Sequence, residues 1–277
     1  MKIAIAICTK DRATELSLLL QSLRTQTEKD FEVWIVEDRS QVPLANFHFF
    51  NCLIGRLKDE GNPVIYSFNP VNLGLPRLRQ KLMEKILKES NCDYILTIDD
   101  DVIPEPDYIE KLLKGIDKGF DFVSGVIPPM IQPAWKRDTK FVKPIIDDYK
   151  FKDGKLIHGD ECGFGYIQSD IIPSHHFRSG GLGKREVFEK TKYPDFLGSC
   201  SFREEDFFSI EAILKGFKFA VNTNAVIWHQ MTPSGGNRDP NYESNIQANI
   251  ELFENWLKEK IEKKGDFLDR YNEEVLK

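Results

Sequence analysis

Apolar residues in the first half of the chain follow two spacings, one typical of buried strands and one typical of helices. Continuous apolar runs such as Ile3 to Cys8 and Tyr94 to Ile98 predict buried strands. Leucines that recur every three or four residues, as between Leu16 and Leu23, predict amphipathic helices. The further strands are predicted at 31–36, 64–68 and 121–126, and the further helices near 75–86 and 106–118. Strands and helices that alternate in this way predict βαβ units and a mainly parallel sheet.

The second half of the chain has a less regular pattern. Residues 127–180 show no clear helical repeat and are predicted to form loops and short mixed strands. A helix is expected from about Glu204 to Lys215, followed by strands near 217–221 and 225–228 and a turn-rich loop at 232–240. From Tyr242 onward an apolar stripe predicts a helical tail. The predicted fold is therefore α/β, with a mixed, mainly parallel sheet flanked by helices and a C-terminal helical tail.

Composition narrows the classes of function. The chain has 277 residues, enough for a sizeable core, and its net charge of -6 argues against nucleic acid as the main partner. Five scattered cysteines fit free thiols in a reducing compartment. The apolar N-terminus ends too early for a signal peptide, and no run approaches a membrane span. We therefore expect a cytoplasmic protein.

Polar clusters follow three of the predicted strands, at 9–12, 37–40 and 99–101. The carboxyl ends of parallel strands lie along one edge of a sheet, so these clusters should converge there. The consecutive carboxylates Asp99, Asp100 and Asp101 repel each other unless a cation lies among them. They predict a divalent metal that holds a phosphate-bearing ligand, and the alternative is a solvated acidic turn. The first βα turn lacks the glycine patterns of dinucleotide-binding folds and P-loops.

The segments that carry these clusters resemble the motifs of GT-A-fold glycosyltransferases, most closely the family 2 enzymes that use nucleotide-diphospho-sugars. The similar segments are 6–12, 34–40, 72–80, 98–104 and 203–206 with 216–218. The resemblance implies a GT-A domain over residues 1–240, with a nucleotide-binding half to about 126 and an acceptor half over 127–240. Residues 241–277 would form a C-terminal helical extension.

The resemblance also implies roles for individual residues. A divalent Mn²⁺ or Mg²⁺ would bind Asp99, Asp101 and His229. For His229 a capped core histidine is the alternative, and for Arg12 and Arg79 it is an ion pair. Residues implied to contact the nucleotide-sugar donor are Thr9, Arg12, Glu37, Asp38, Arg79, Asp99 and Asp100, together with Gly181 in the sugar pocket and Arg238 on the 232–240 loop.

For catalysis, the resemblance places Asp206 as the general base that removes the proton of the acceptor hydroxyl. The alternative is a carboxylate that offsets the helix dipole, a role that Glu204 and Glu205 could also fill. The predicted activity is metal-dependent sugar transfer to a glycan, lipid-linked or small-molecule acceptor, with inversion favoured and retention kept open as the alternative. A sugar-phosphate nucleotidyltransferase and an inactive nucleotide- or glycan-binding module stay open as alternatives. The tail helix is predicted to pack on the domain or to form a homodimer contact.

Overall fold

The computed structural model describes residues 1–130, 149–152, 155–158, 171–198, 201–233, 235–236 and 241–277. Within these ranges, strands and helices alternate through Val126, as the sequence pattern predicts. The strands are β1 Ile3–Thr9, β2 Phe31–Asp38, β3 Val64–Asn69, β4 Tyr94–Asp99, β5 Val102–Pro104, β6 Phe122–Val126, β7 Tyr149–Lys152, β8 Lys155–His158, β9 Ile171–Pro173, β10 Gly181–Lys184 and β11 Phe219–His229. The helices are α1 Ala13–Arg24, α2 His48–Asp59, α3 Leu75–Glu89, α4 Tyr108–Asp117, α5 Arg185–Lys190, α6 Glu204–Ile213, α7 Tyr242–Lys264 and α8 Phe267–Val275.

The main sheet of the described residues is mixed, with strand order β3-β2-β1-β4-β10-β6-β11-β5 and β9 paired to β11. Strands β3, β2, β1 and β4 are parallel to one another. Strand β10 runs antiparallel between β4 and β6, while β6 and β11 are parallel. The carboxyl ends of β1, β2 and β4 therefore lie along the same edge of the sheet.

Helices cover both faces of this sheet because its central strands are apolar on both sides. Along β1, Ile3, Ile5 and Ile7 pack in the core beneath α1, α2 and α4. The alternate residues Ala4 and Ala6 face the opposite core, which contains side chains of α3, α6, α7 and α8. Continuous burial along β1 explains why its sequence is an unbroken apolar run.

Several elements were not predicted from the sequence. Helix α2 has no counterpart among the helices predicted from the sequence, and β10 has none among the predicted strands. In β10 the glycines permit close packing, since a Cβ on Gly181 would lie 2.1 Å from Cε1 of Phe122. A glycine-rich strand of this kind carries no alternating apolar pattern that would reveal it.

The C-terminal helices pack on their own chain. Phe253 and Leu257 of α7 are fully buried in the core that also holds Phe267 and Tyr271. The Tyr271 hydroxyl accepts a hydrogen bond from the backbone N–H of Phe219 in β11, at 2.8 Å. The apolar stripe that suggested a dimer contact is thus covered intramolecularly, and dimerisation stays a prediction. No helix of the described residues is long and apolar enough to cross a membrane.

Candidate functional site

Two adjoining clefts open at the carboxyl edge of the sheet, in the part of the chain that the structure describes. The first, here called the acidic cleft, lies where β1, β2, β4 and β11 end. Its walls include Thr9, Lys10, Arg12, Asp38, Asp99, Asp100, Asp101, His229, Gly236 and Tyr242. The second cleft lies beside the start of α6, and its walls include Ile127, His176, Arg178, Phe202, Glu205 and Asp206. Asp99 and His229 belong to both clefts.

Arg12 and His229 surround the acidic cluster. Nη1 of Arg12 lies 2.8 Å from Oδ1 of Asp100 and 3.0 Å from Oδ2 of Asp101. Nε2 of His229 lies 3.4 Å from the same Oδ2 of Asp101. The Asp100 and Asp101 side chains are only 6% and 5% exposed. A solvated acidic turn does not fit this burial, so that alternative interpretation is wrong.

The environment shifts the pKa values of these groups in different directions. Burial raises the pKa of Asp100 to about 6, although Arg12 opposes the shift. Burial also acts to raise the pKa of Asp101, but the contacts with His229 and Arg12 outweigh it and the pKa is lowered. Burial acts to lower the pKa of His229, and Asp101 outweighs it, so that pKa is raised. As pH falls, Asp100 therefore takes up a proton before Asp101 does.

Asp101 and His229 fit the ligand set of a divalent cation. Two adjacent ligands of an octahedral ion with bonds of about 2.1 Å lie about 3 Å apart, and Asp101 Oδ2 and His229 Nε2 are 3.4 Å apart. Among the described residues, the buried Nδ1 atom of His229 has no hydrogen-bond partner. Within the described residues, no group of three or more His, Cys, Asp or Glu side chains is arranged as a complete metal site.

Arg79 connects the acidic cleft to the start of α6. Its guanidinium lies 2.8 Å from Oδ1 of Asp99, 2.7 Å from Oε1 of Glu204 and 3.3 Å from Oε1 of Glu205. The Arg79 side chain is 4% exposed and lines neither cleft. Through these contacts Arg79 orients three carboxylates. They do not support the predicted contact of Arg79 with the donor, which stays a prediction.

The three carboxylates at the start of α6 have different surroundings. Glu204 is buried, and burial raises its pKa to about 8 against the effect of Arg79. Glu205 also has a raised pKa, chiefly through burial, but its side chain is 23% exposed at the second cleft. Asp206 is 6% exposed and contacts the Tyr149 hydroxyl, with His176 and Arg203 each 3.5 Å away.

Two of the residues predicted to bind the donor, Glu37 and Gly181, line neither cleft. Glu37 is fully buried, and its carboxylate accepts hydrogen bonds from the Leu44 N–H and the Tyr66 hydroxyl. It links β2 to the chain that leads into α2. Gly181 lies within the sheet against Phe122 and lines neither cleft. Arg238 lies outside the described residues.

Asp38 and Thr9 both lie at the acidic cleft but are largely buried. The Asp38 carboxylate accepts hydrogen bonds from the N–H groups of Leu73 and Gly74, at 3.0 and 3.1 Å, and from the Asn69 side chain. It therefore orders the loop that leads into α3. Contacts of Thr9 and Asp38 with a donor stay predictions.

Strained backbone positions adjoin this site, and no sequence pattern indicated them. Among the described residues, the non-glycine residues with positive φ are Asp11, Arg39, Arg203 and Met231, at 54°, 49°, 75° and 56°. They follow β1, β2 and β11 or precede α6, which are the elements that line the clefts. Such strain commonly accompanies functional sites.

Ser179 is a further residue at the site that the sequence reasoning missed. Its Oγ accepts a hydrogen bond from the Asp99 N–H at 2.8 Å and fixes the end of β4.

Comparison with solved structures identifies the fold as GT-A. The crystal structure of S. aureus TarS 1-349 superposes with a TM-score of 0.60 at 15% identity, over 91% of this chain and 65% of that one. The crystal structure of GalNAc-T7 with UDP, GalNAc and Mn²⁺ gives a TM-score of 0.63 at 15% identity, over 91% of this chain and 48% of that one. At these identities the likeness establishes the fold alone.

The sequence defines the family. The model of glycosyl transferase family 2 matches residues 4–174, so the chain belongs to this family. A curated relative, glucosyl-dolichyl phosphate glucuronosyltransferase of Haloferax volcanii, is 27% identical over 191 residues. The aligned region covers 68% of this chain and 54% of that protein, so the chain spans about half the length of this relative. The resemblance drawn from the motifs is confirmed.

Proposed function

We propose that the protein transfers a sugar from a nucleotide-diphospho-sugar to an acceptor hydroxyl, with a divalent metal and inversion at the anomeric carbon. The observation that carries the proposal is the contact of Asp101 with His229 at the border of the two clefts. A donor in the acidic cleft would place its sugar towards the second cleft, where Glu205 is exposed. Membership of glycosyl transferase family 2 supports the same reaction.

The metal would be Mn²⁺ or Mg²⁺ held by Asp101 and His229, with Asp99 as a further oxygen ligand. Bound there, it would neutralise the charge of the departing diphosphate as a Lewis acid. A mixed set of carboxylate and imidazole ligands favours Mn²⁺ over Mg²⁺. The neighbour GalNAc-T7 was crystallised with Mn²⁺ and UDP, which supports a trial of these ligands first.

For the general base, the surroundings of α6 favour Glu205 over the predicted Asp206. The Asp206 carboxylate is enclosed by Tyr149, His176 and Arg203, so an acceptor hydroxyl would have to displace one of these contacts. Glu205 is open to the second cleft, and its raised pKa suits a group that must accept a proton. Arg79 holds Glu205 and Asp99 on the same guanidinium and thereby sets their relative positions.

The acceptor is a glycan, a lipid-linked saccharide or a small molecule bound in the second cleft. The name of the Haloferax volcanii relative describes glucuronosyl transfer to a lipid-linked sugar, and this makes such acceptors worth testing. The exposed Phe202 ring at this cleft offers an apolar surface on which a sugar ring could pack. A cytoplasmic location is proposed on the sequence alone.

The proposed function is tested by measuring release of nucleoside diphosphate from a panel of nucleotide-sugars with Mn²⁺, with and without candidate acceptors. We expect release from one donor class and a loss of about 10³-fold or more in Asp101→Asn, since the variant removes a charged ligand from the leaving diphosphate. The anomeric configuration of the product, read by NMR, tests inversion. Release of pyrophosphate from nucleoside triphosphates would instead show a nucleotidyltransferase.

A further inference from the structure

Arg12 lies where the acidic cluster would otherwise need a cation. We propose that Arg12 is the resident counter-cation of Asp100 and Asp101, and that it competes with the divalent metal for Asp101. The inference rests on the proposed function only in taking the metal ligands to be Asp101 and His229. It makes Arg12 a residue that sets metal affinity.

Arg12 and His229 contact the same carboxylate oxygen of Asp101. Oδ2 of Asp101 is 3.0 Å from Nη1 of Arg12 and 3.4 Å from Nε2 of His229. The same Arg12 nitrogen is 2.8 Å from Oδ1 of Asp100. A metal bound between Asp101 and His229 would therefore share Oδ2 of Asp101 with the Arg12 guanidinium, whose Nη1 lies 3.0 Å from that oxygen.

Electrostatics make this sharing unfavourable. A divalent ion and a guanidinium repel each other, and burial strengthens the repulsion because solvent screens it less. The Arg12 side chain is only 11% exposed, and the carboxylates less. Metal binding must therefore weaken the contact of Arg12 with Asp101, and the free energy of that pair is lost from the metal affinity.

Packing keeps Arg12 in this position. Gly235 and Gly236, with φ of +76° and +66°, lie directly on its side chain. A Cβ on Gly235 would lie 2.6 Å from Cγ of Arg12, and one on Gly236 would lie 3.3 Å from its Cζ. The Gly236 N–H donates to the Lys10 carbonyl at 2.9 Å, which joins this segment to the β1–α1 turn. Glycine at both positions thus allows the backbone to cover the guanidinium.

The experiment titrates MnCl₂ alone, without nucleotide, into the wild type, Arg12→Gln and Arg12→Lys, by calorimetry and by thermal unfolding. In metal-free buffer Arg12→Gln should unfold at a lower temperature, since two buried carboxylates lose their partner. Mn²⁺ should raise its unfolding temperature more than that of the wild type. Its Mn²⁺ dissociation constant should be lower than the wild-type value by up to about tenfold, because Arg12 no longer competes for Asp101. Arg12→Lys keeps the charge and should lie between the two.

Arg24→Gln is the matched control, since Arg24 pairs with Glu60 far from the clefts and its loss should leave Mn²⁺ affinity unchanged. Equal or weaker Mn²⁺ binding by Arg12→Gln overturns the proposal. Should that variant fail to fold, an Arg12→Lys affinity no tighter than the wild type overturns it equally. Either result leaves the proposed function intact if the wild type still releases nucleoside diphosphate from a donor. Absence of such release from every donor would instead count against the function.

Discussion

The central sheet buries carboxylates at both ends, and the two ends compensate their charge to different degrees. At the amino end, Glu32 is 4% exposed and accepts hydrogen bonds from Lys2 Nζ at 2.6 Å, Trp34 Nε1 at 2.8 Å and the Ser90 hydroxyl. Burial alone would raise the pKa of Glu32, but these donors outweigh it and the pKa is lowered. This carboxylate contributes to stability as an ion.

At the carboxyl end, burial prevails for Asp100 and Glu204, whose pKa values rise to about 6 and about 8. The buried Oε2 of Glu204 has no hydrogen-bond partner in the part of the chain that the structure describes. The positive-φ residues of the described chain, other than glycine, also lie at this end. The contrast indicates that the amino end is arranged for stability, while the carboxyl end retains poorly compensated charge and strain that a bound cation and substrate could relieve.

The largest effect should come from removing the exposed carboxylate at the carboxyl end. Glu205→Gln should lower kcat by about 10²- to 10⁴-fold, since it removes the proposed general base without changing side-chain size. Asp206→Asn should lower kcat far less, because Asp206 is enclosed by Tyr149 and its neighbours. Turnover with the identified donor, measured across pH, checks both variants. A greater loss in Asp206→Asn than in Glu205→Gln would return the base to Asp206.

A smaller effect, on stability alone, is expected at the amino end. Glu32→Gln should reduce the free energy of unfolding by about 2 kcal/mol at pH 7, since the charged acceptor is lost, and should leave turnover unchanged. The folded pKa of Glu32 lies below its ordinary value of 4.5. The advantage of the wild type is therefore present above pH 4.5 and is lost as pH falls through the folded pKa. Urea unfolding at several pH values measures the difference in unfolding free energy between the wild type and Glu32→Gln. A difference that grows as the pH falls would contradict this prediction.

A further effect concerns Glu204, whose contribution to stability changes with pH in the opposite direction to that of Glu32. Its pKa rises from 4.5 in the ordinary case to about 8 on folding. The unfolded chain therefore loses the proton first, and stability falls as pH rises between these values. Glu204→Gln should show a shallower decline in stability between about pH 5 and 8. Thermal unfolding in metal-free buffer compares the variant with the wild type, and identical declines would show that Glu204 does not titrate in this range.

Most of the parallel half of the fold could be predicted because its apolar runs are buried on both faces. Strands β1 to β4 and β6 were predicted within a few residues of their observed bounds. Strand β10 could not be, since its glycines accommodate Phe122 and give no periodic pattern. Its antiparallel insertion between β4 and β6 depends on packing across the whole chain, which local patterns do not report.

The sequence predicted which strand ends converge, but not the orientation of each side chain. Asp99, Asp100, Asp101, Thr9, Arg12 and His229 do lie together, because strand ends converge at one edge. Glu37 lies away from the clefts because neighbouring residues of a strand point to opposite faces, and Glu37 points into the α2 side of the sheet. The general base could not be chosen among Glu204, Glu205 and Asp206 without the three-dimensional structure, since each lies on a different face of one helical turn.

The central claim is that a nucleotide-diphospho-sugar and a divalent metal bind together in the acidic cleft. The most direct test is calorimetric binding of UDP, GDP, TDP and CDP, with and without Mn²⁺, to the wild type and to Asp101→Ala. The account predicts Mn²⁺-dependent binding of one nucleotide to the wild type and its loss in the variant. Failure of all four nucleotides to bind the wild type, with or without the metal, would contradict it.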